Sequence, residues 1–301
     1  MIEKKRKIII FTCHSKKIGL GHFVRSQRLY HELKKNFKCE FYVNKNKDFI
    51  KKQLNKQNNF ALIIFDFKKY DKFFLKYKKN LHFILFDQNK IKKKNIISFN
   101  PLNLKKNGNF NGPKWFAFPN NFFKKKNKKF FKKKFNIFIS QGGTDSNKNL
   151  KKIINSINLN NPKIDRVFVK VPRLRYLENN NKKIINLFNI NNLFNILNKT
   201  DIAISGCGNF SFEINFFKIP TIYISNEQDE IKRGKLLESK GIGNFYKINN
   251  LNKMITELNL IMDNKNYYEK MVSKRGNYFQ QNGLANIKKK INKIFKNNEI
   301  K

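Results

Sequence analysis

The sequence predicts an α/β protein of two domains, each built on a mainly parallel sheet. Its 301 residues are about twice what one compact domain of ~150 residues requires. Short apolar runs bounded by polar residues alternate with segments of helical spacing, which is the rhythm of βαβ units. That rhythm breaks once, at a Lys/Phe tract near the middle, and then restarts.

In the first half, strands are predicted at Lys7–Thr12, Glu40–Val43, Ala61–Phe65, His82–Phe86 and Ile96–Phe99, with a helix over Phe23–Lys35. Continuous rather than alternating apolar runs such as Ile8-Ile9-Ile10-Phe11 are what parallel strands covered on both faces require. Residues 122–134 are a run of Lys and Phe with no periodic face, read as a linker between domains at 1–121 and 135–301. Beyond it, strands are predicted at Phe135–Ser140, Arg166–Val171, Ile202–Ser205 and Thr221–Ile224, with helical stretches between. The tail past Leu251 carries Met254, Ile255, Leu258, Ile261 and Met262 at helical spacing, and is expected to pack on the second sheet.

Composition narrows the function. There are 65 Lys+Arg against 20 Asp+Glu, a net charge of +45. Such a field attracts nucleic acid, anionic lipid or a phosphorylated ligand. Lys, Asn, Ile and Phe are enriched together, however, as AT-rich coding produces, and Arg rather than Lys is the usual reader of base edges. A nucleic-acid partner is therefore not the expectation. Cys13, Cys39 and Cys207 form no C-x-x-C pair, and the four histidines, His14, His22, His31 and His82, have no metal-ligand spacing, so neither a disulfide framework nor a metal site is predicted. No apolar run approaches the length of a membrane span, and the chain reads as cytoplasmic.

The first strand leads into a loop and then Gly19-Leu20-Gly21-His22-Phe23-Val24-Arg25 at a helix start. Glycines at the carboxyl end of a strand let backbone N–H groups approach an anion, so Gly19 and Gly21 are candidate ligand contacts. The run is not a dinucleotide fingerprint: Val24 stands where the last glycine belongs, and Val43-Asn44 ends the next strand without a carboxylate. His22 lies at the positive end of the helix dipole, which disfavours imidazolium and suits a general base. Arg25, three residues on, shares its helix face and is expected to steer a phosphate or carboxylate. Asp66 and Asp87 end two further strands at the same edge. Asp66 is taken as the partner of His22 and Asp87 as a ligand contact; turn or helix-cap roles are the ordinary alternative for both.

The second half offers two more turns. Gln141-Gly142-Gly143-Thr144-Asp145 follows one predicted strand, and Gly206-Cys207-Gly208-Asn209 follows another, with Glu213 one turn inside the next helix, within reach of ribose hydroxyls. Both turns are anion-binding candidates, with ordinary βα turns as the alternative. Cys207 reads as a small buried filler.

The order of these pieces is more specific than any one of them: G-x-G-H-x-x-R, two strand-end Asp, Asn111-Gly112-Pro113-Lys114-Trp115, Gly142 to Asp145, Gly208 to Glu213, then Pro220 and Gln228. This order resembles the UDP-sugar hydrolases of pseudaminic acid biosynthesis and related surface-polysaccharide proteins. The resemblance implies two Rossmann-like domains with a cleft between them, the GT-B type, and no metal or other cofactor. It places the catalytic base on His22, phosphate contacts on Gly142, Gly143, Gly208 and Asn209, and a ribose contact on Glu213, with Asp145 and Gln228 among the ligand-binding positions. It further implies UDP held mainly by the second domain, with water attacking the anomeric carbon of a UDP-linked diacetamido-trideoxyhexose. A glycosyltransferase of the same fold, a nucleic-acid-binding basic protein and a non-catalytic sugar-nucleotide sensor are the rival readings.

Overall fold

The structure is a computed structural model describing residues 6–15, 20–57, 61–67, 81–88, 95–104, 110–124, 128–142, 145, 148–172, 177, 181–188, 192–275 and 278–299. It divides into two compact units. Unit 1 comprises residues 1–118 and 281–301, and unit 2 residues 119–280.

Unit 1 contains β1 (Lys7–Thr12), α1 (Gly21–Leu33), β2 (Lys38–Val43), α2 (Lys47–Asn55), β3 (Leu62–Asp66), β4 (His82–Phe86) and β5 (Ile96–Phe99). The strands form one parallel sheet in the order β2-β1-β3-β4-β5. Strand alternation sorts the apolar runs onto two faces. Ile8, Ile10, Ile64, Ile84 and Phe86 pack with Leu29 and Leu33 of α1, whereas Ile9, Phe11, Ile63, Phe65 and Leu85 pack with Ile50 and Leu54 of α2. Each such side chain contributes about 1.5–3 kcal/mol of burial.

Unit 2 contains β6 (Phe135–Ser140), α3 (Asn149–Ser156), β7 (Ile164–Lys170), β8 (Ile184–Leu187), α4 (Leu193–Lys199), β9 (Ile202–Ser205), α5 (Asn209–Phe216), β10 (Thr221–Ile224), α6 (Gln228–Ser239), β11 (Asn244–Tyr246), α7 (Leu251–Asp263) and α8 (Lys265–Ser273). Its strands are again all parallel, in the order β11-β10-β9-β6-β7-β8. Met254, Leu258, Ile261 and Met262 of α7 bury against this sheet as expected.

The expected boundaries need two corrections. The final helix, α9 (Gly283–Glu299), belongs to unit 1 rather than to the second domain. Its Leu284, Ile287, Ile291, Ile294 and Phe295 complete the face that α1 covers. Gly283 lets it dock: an added Cβ there would lie 2.1 Å from the Phe116 carbonyl oxygen. The tract at 122–134 is also not a free linker. Phe122 is buried and packs edge-on against Phe217. Lys129 donates from Nζ to the carbonyls of Leu197, Asn198 and Thr200, closing the C-terminal end of α4. Among the described residues no helix is long and apolar enough to cross a membrane.

Candidate functional site

Parallel register puts the carboxyl ends of unit 1's strands along one edge, with Thr12 of β1 opposite Asp66 of β3. α1 begins at Gly21 over that edge, so its first turn carries His22, Arg25 and Ser26 on one face toward Asp66. Asp66 has no solvent exposure. Its Oδ1 accepts from His22 Nδ1 at 2.7 Å and from Arg25 Nη2 at 2.5 Å. Its Oδ2 accepts from Arg25 Nε at 2.8 Å and from Ser26 Oγ at 2.9 Å. Burial by itself would raise the Asp66 carboxyl, but the Arg25 charge and the hydrogen bonds from Arg25 and His22 outweigh it and hold the group well below the usual carboxylate range. The carboxylate thus stays ionised while fixing the imidazole with its proton on Nδ1, so Nε2 is the ring atom that accepts a proton.

Arg25 departs from its expected role. Its side chain is 2% exposed, and its third nitrogen, Nη1, pairs with Asp87 Oδ2 at 2.8 Å. Its guanidinium carbon lies 4.5 Å from the centroid of the Phe86 ring. Burial lowers its affinity for the proton, but Asp66 and Asp87 reverse that and hold the guanidinium charged. Nε and Nη2 hydrogen-bond Asp66, and Nη1 ion-pairs with Asp87 without a hydrogen bond among the described residues, so the buried Arg25 side chain is committed as an internal clamp between Asp66 and Asp87. Asp87 has φ +59°, a conformation uncommon for a non-glycine residue, and its side chain remains 26% exposed beside the clamp. Gly21 opens α1, and Gly19 lies outside the described residues.

In unit 2, β6 and β9 are neighbours with Ser140 opposite Ser205, which brings the two predicted turns side by side. Gly206 N–H donates to the Ser140 carbonyl at 2.9 Å. Gly142 adopts φ +80° with open space where a side chain would stand; Gly143 lies outside the described residues. The Asp145 carboxylate turns to the start of the next helix. It accepts from the N–H groups of Asn149 at 2.8 Å and Leu150 at 3.2 Å, capping α3. Gly208 caps α5, Asn209 is that helix's first residue, Glu213 is buried one turn on, and Gln228 is exposed at the start of α6.

The Gly206–Gly208 turn is not empty of charge. Glu230 of α6 accepts from Cys207 N–H at 3.1 Å, and its carboxylate lies so close that a Cβ on Gly208 would meet Oε1 at 3.0 Å. Arg233, one turn further along α6, donates from Nη1 to the Cys207 carbonyl at 2.5 Å. The Cys207 thiol is buried, and burial with the Glu230 charge pushes it far up, which suits a filler and not a nucleophile. Sequence reasoning missed Glu230, and it also missed Lys170 at the end of β7, whose Nζ donates to the Gly142 carbonyl at 2.9 Å. No local motif marks either residue; only strand order brings them to the glycine turns.

No protein-family model matches the chain, and no curated protein matches it. Solved structures do. MurG of Acinetobacter baumannii superposes with a TM-score of 0.61 at 12% identity, covering 96% of this chain and 99% of its own. Spinosyn rhamnosyltransferase SpnG, complexed with thymidine diphosphate, gives 0.64 at 10% identity over 94% and 99%. The S. aureus MnaA–UDP structure gives 0.61 at 11% identity over 94% of both chains. Two all-parallel α/β units with this end-to-end likeness give the chain the two-domain GT-B fold.

Proposed function

We propose that this protein is an enzyme acting on a nucleotide-activated sugar, transferring its glycosyl group to an acceptor hydroxyl with His22 as general base. The observation that carries this is the His22–Asp66 pair at the carboxyl edge of the unit 1 sheet, an imidazole oriented through Nδ1 by a buried, ionised carboxylate. In the proposed step His22 Nε2 takes the acceptor proton while the acceptor oxygen bonds to the anomeric carbon. The bond from that carbon to the terminal phosphate oxygen breaks, and its electron pair leaves with the nucleoside diphosphate. A positioned base of this kind contributes about 10²–10⁴ in rate. Unit 2 supplies the nucleotide contacts in this reading: the open backbone at Gly142, the N–H groups at Gly208 and Asn209, and Glu213 for ribose. Two solved structures of the same fold, a rhamnosyltransferase complexed with thymidine diphosphate and the MnaA–UDP co-structure, support a nucleotide ligand.

Hydrolysis of a UDP-linked diacetamido-trideoxyhexose, which the motif order in the sequence favours, is the same attack with water in place of the acceptor. The purified protein, given UDP-sugars with and without an acceptor while UDP is measured, separates the two. Release that waits for acceptor supports transfer, and release in water alone, with ¹⁸O from solvent in the sugar, supports hydrolysis. Absence of turnover on every nucleotide sugar, with and without acceptors, contradicts both.

A further inference from the structure

Lys170 stands out among the described charged groups of unit 2 because the described residues give its ammonium so little. It is only partly exposed at the carboxyl end of β7. Among the described residues its contacts are the Gly142 carbonyl at 2.9 Å and the ring of Phe210, whose centroid is 5.4 Å from Nζ. Among the described residues no carboxylate forms an ion pair with it. Burial pushes the ammonium below the ordinary lysine range, and the charge of Glu213 offsets part of that. A partly desolvated cation with one carbonyl acceptor has donors left over, and such groups are stable where an anion completes them.

The surroundings point the same way. Gly142, which holds Lys170, has left-handed φ and open space on its Cβ side. Beside it, Gln141 Nε2 is buried without a hydrogen-bond partner among the described residues, a second unused donor at the same strand ends. Gln141 Oε1 lies 3.8 Å from where a Cβ on Gly206 would stand, so this amide sits between the two glycine turns. On the far side, Glu230 places negative charge on Cys207 N–H. At the Gly206–Gly208 turn the Glu230 carboxylate and the Arg233 guanidinium oppose each other, whereas the Gly142 turn carries the Lys170 ammonium.

From this juxtaposition we infer that Lys170 is the cationic contact for the diphosphate of the nucleotide, between the Gly142 turn and Glu213. The inference rests on the nucleotide-sugar reading for the ligand's identity, but its physical content is an anion contact at Lys170. Because Glu213 is the ribose candidate, the phosphate met by Lys170 is the one adjoining the ribose.

Calorimetric titration of wild type, Lys170→Met and Lys170→Arg with UDP, uridine and inorganic pyrophosphate tests this. Lys170→Met is expected to weaken UDP by about 10- to 100-fold, the worth of a charge-assisted hydrogen bond, to leave uridine unchanged, and to be largely rescued in Lys170→Arg. Equal losses for UDP and uridine, or no loss for UDP, overturn the inference. If wild type binds no nucleotide, the functional reading fails separately. Pyrophosphate then decides: binding lost in Lys170→Met sustains the inference, and no pyrophosphate binding by wild type overturns it.

Discussion

Asp66 accepts from Nδ1 of His22 at 2.7 Å out of a position with no solvent exposure, and the same carboxylate is gripped by two nitrogens of Arg25. The imidazole is therefore held by a charge that cannot easily be moved or neutralised. Asp66→Asn keeps the shape and removes the charge, and an amide offering its N–H to Nδ1 selects the wrong tautomer. Turnover is expected to fall about 10²- to 10⁴-fold with nucleotide binding little changed. A variant within a few-fold of wild type in kcat would show that the pair does not organise the base.

The same substitution tests stability. Asp66 has a folded pKa below its unfolded value, so the unfolded state binds more protons in between, and the stabilisation is complete above pH ~4 and is lost as pH falls through the folded value. Wild type is expected to lose stability on acidification below pH ~4, and Asp66→Asn to show a flatter acid limb. Removing one partner of a buried pair costs about 3–5 kcal/mol, read as a lower unfolding midpoint at pH 7.

Glu230 gives a prediction of opposite sign. Its carboxylate occupies the Cys207 N–H in the turn proposed to receive phosphate, so like charges meet there. Glu230→Gln retains an acceptor for that N–H and removes the repulsion. UDP is expected to bind several-fold more tightly while uridine is unaffected, by titration at low salt. Weaker UDP binding would mark Glu230 as a ligand contact instead.

Much of the fold is legible in the sequence because strands covered on both faces announce themselves as unbroken apolar runs: Lys7–Thr12, His82–Phe86, Phe135–Ser140, Ile202–Ser205 and Thr221–Ile224 have the observed bounds. β8 and β11 are not legible, being short and carrying Asn within or beside them. The spacing of Leu284, Ile287 and Ile291 marks a buried helix face but not the sheet that buries it. At the site, His22 and Asp66 are predicted from strand and helix ends. Arg25 is misread because its partners come from two different strands, a pairing that no local pattern records.

The destination of the final helix has its own consequence. Ile291→Ala opens a cavity in the core shared with Ile8, Leu29 and Leu33 and is expected to cost about 2–5 kcal/mol. Hydrogen exchange should then rise at β1 and α1 of unit 1 and stay unchanged at β6 and β9 of unit 2. Faster exchange in unit 2 alone would contradict the assignment of this helix.

The most direct measurement is single-turnover release of nucleoside diphosphate from a nucleotide sugar by wild type and His22→Gln, with nucleotide affinity measured in parallel. The account predicts a rate lower by about 10²- to 10⁴-fold in the variant, with affinity within a few-fold of wild type. An unchanged rate in His22→Gln would contradict it.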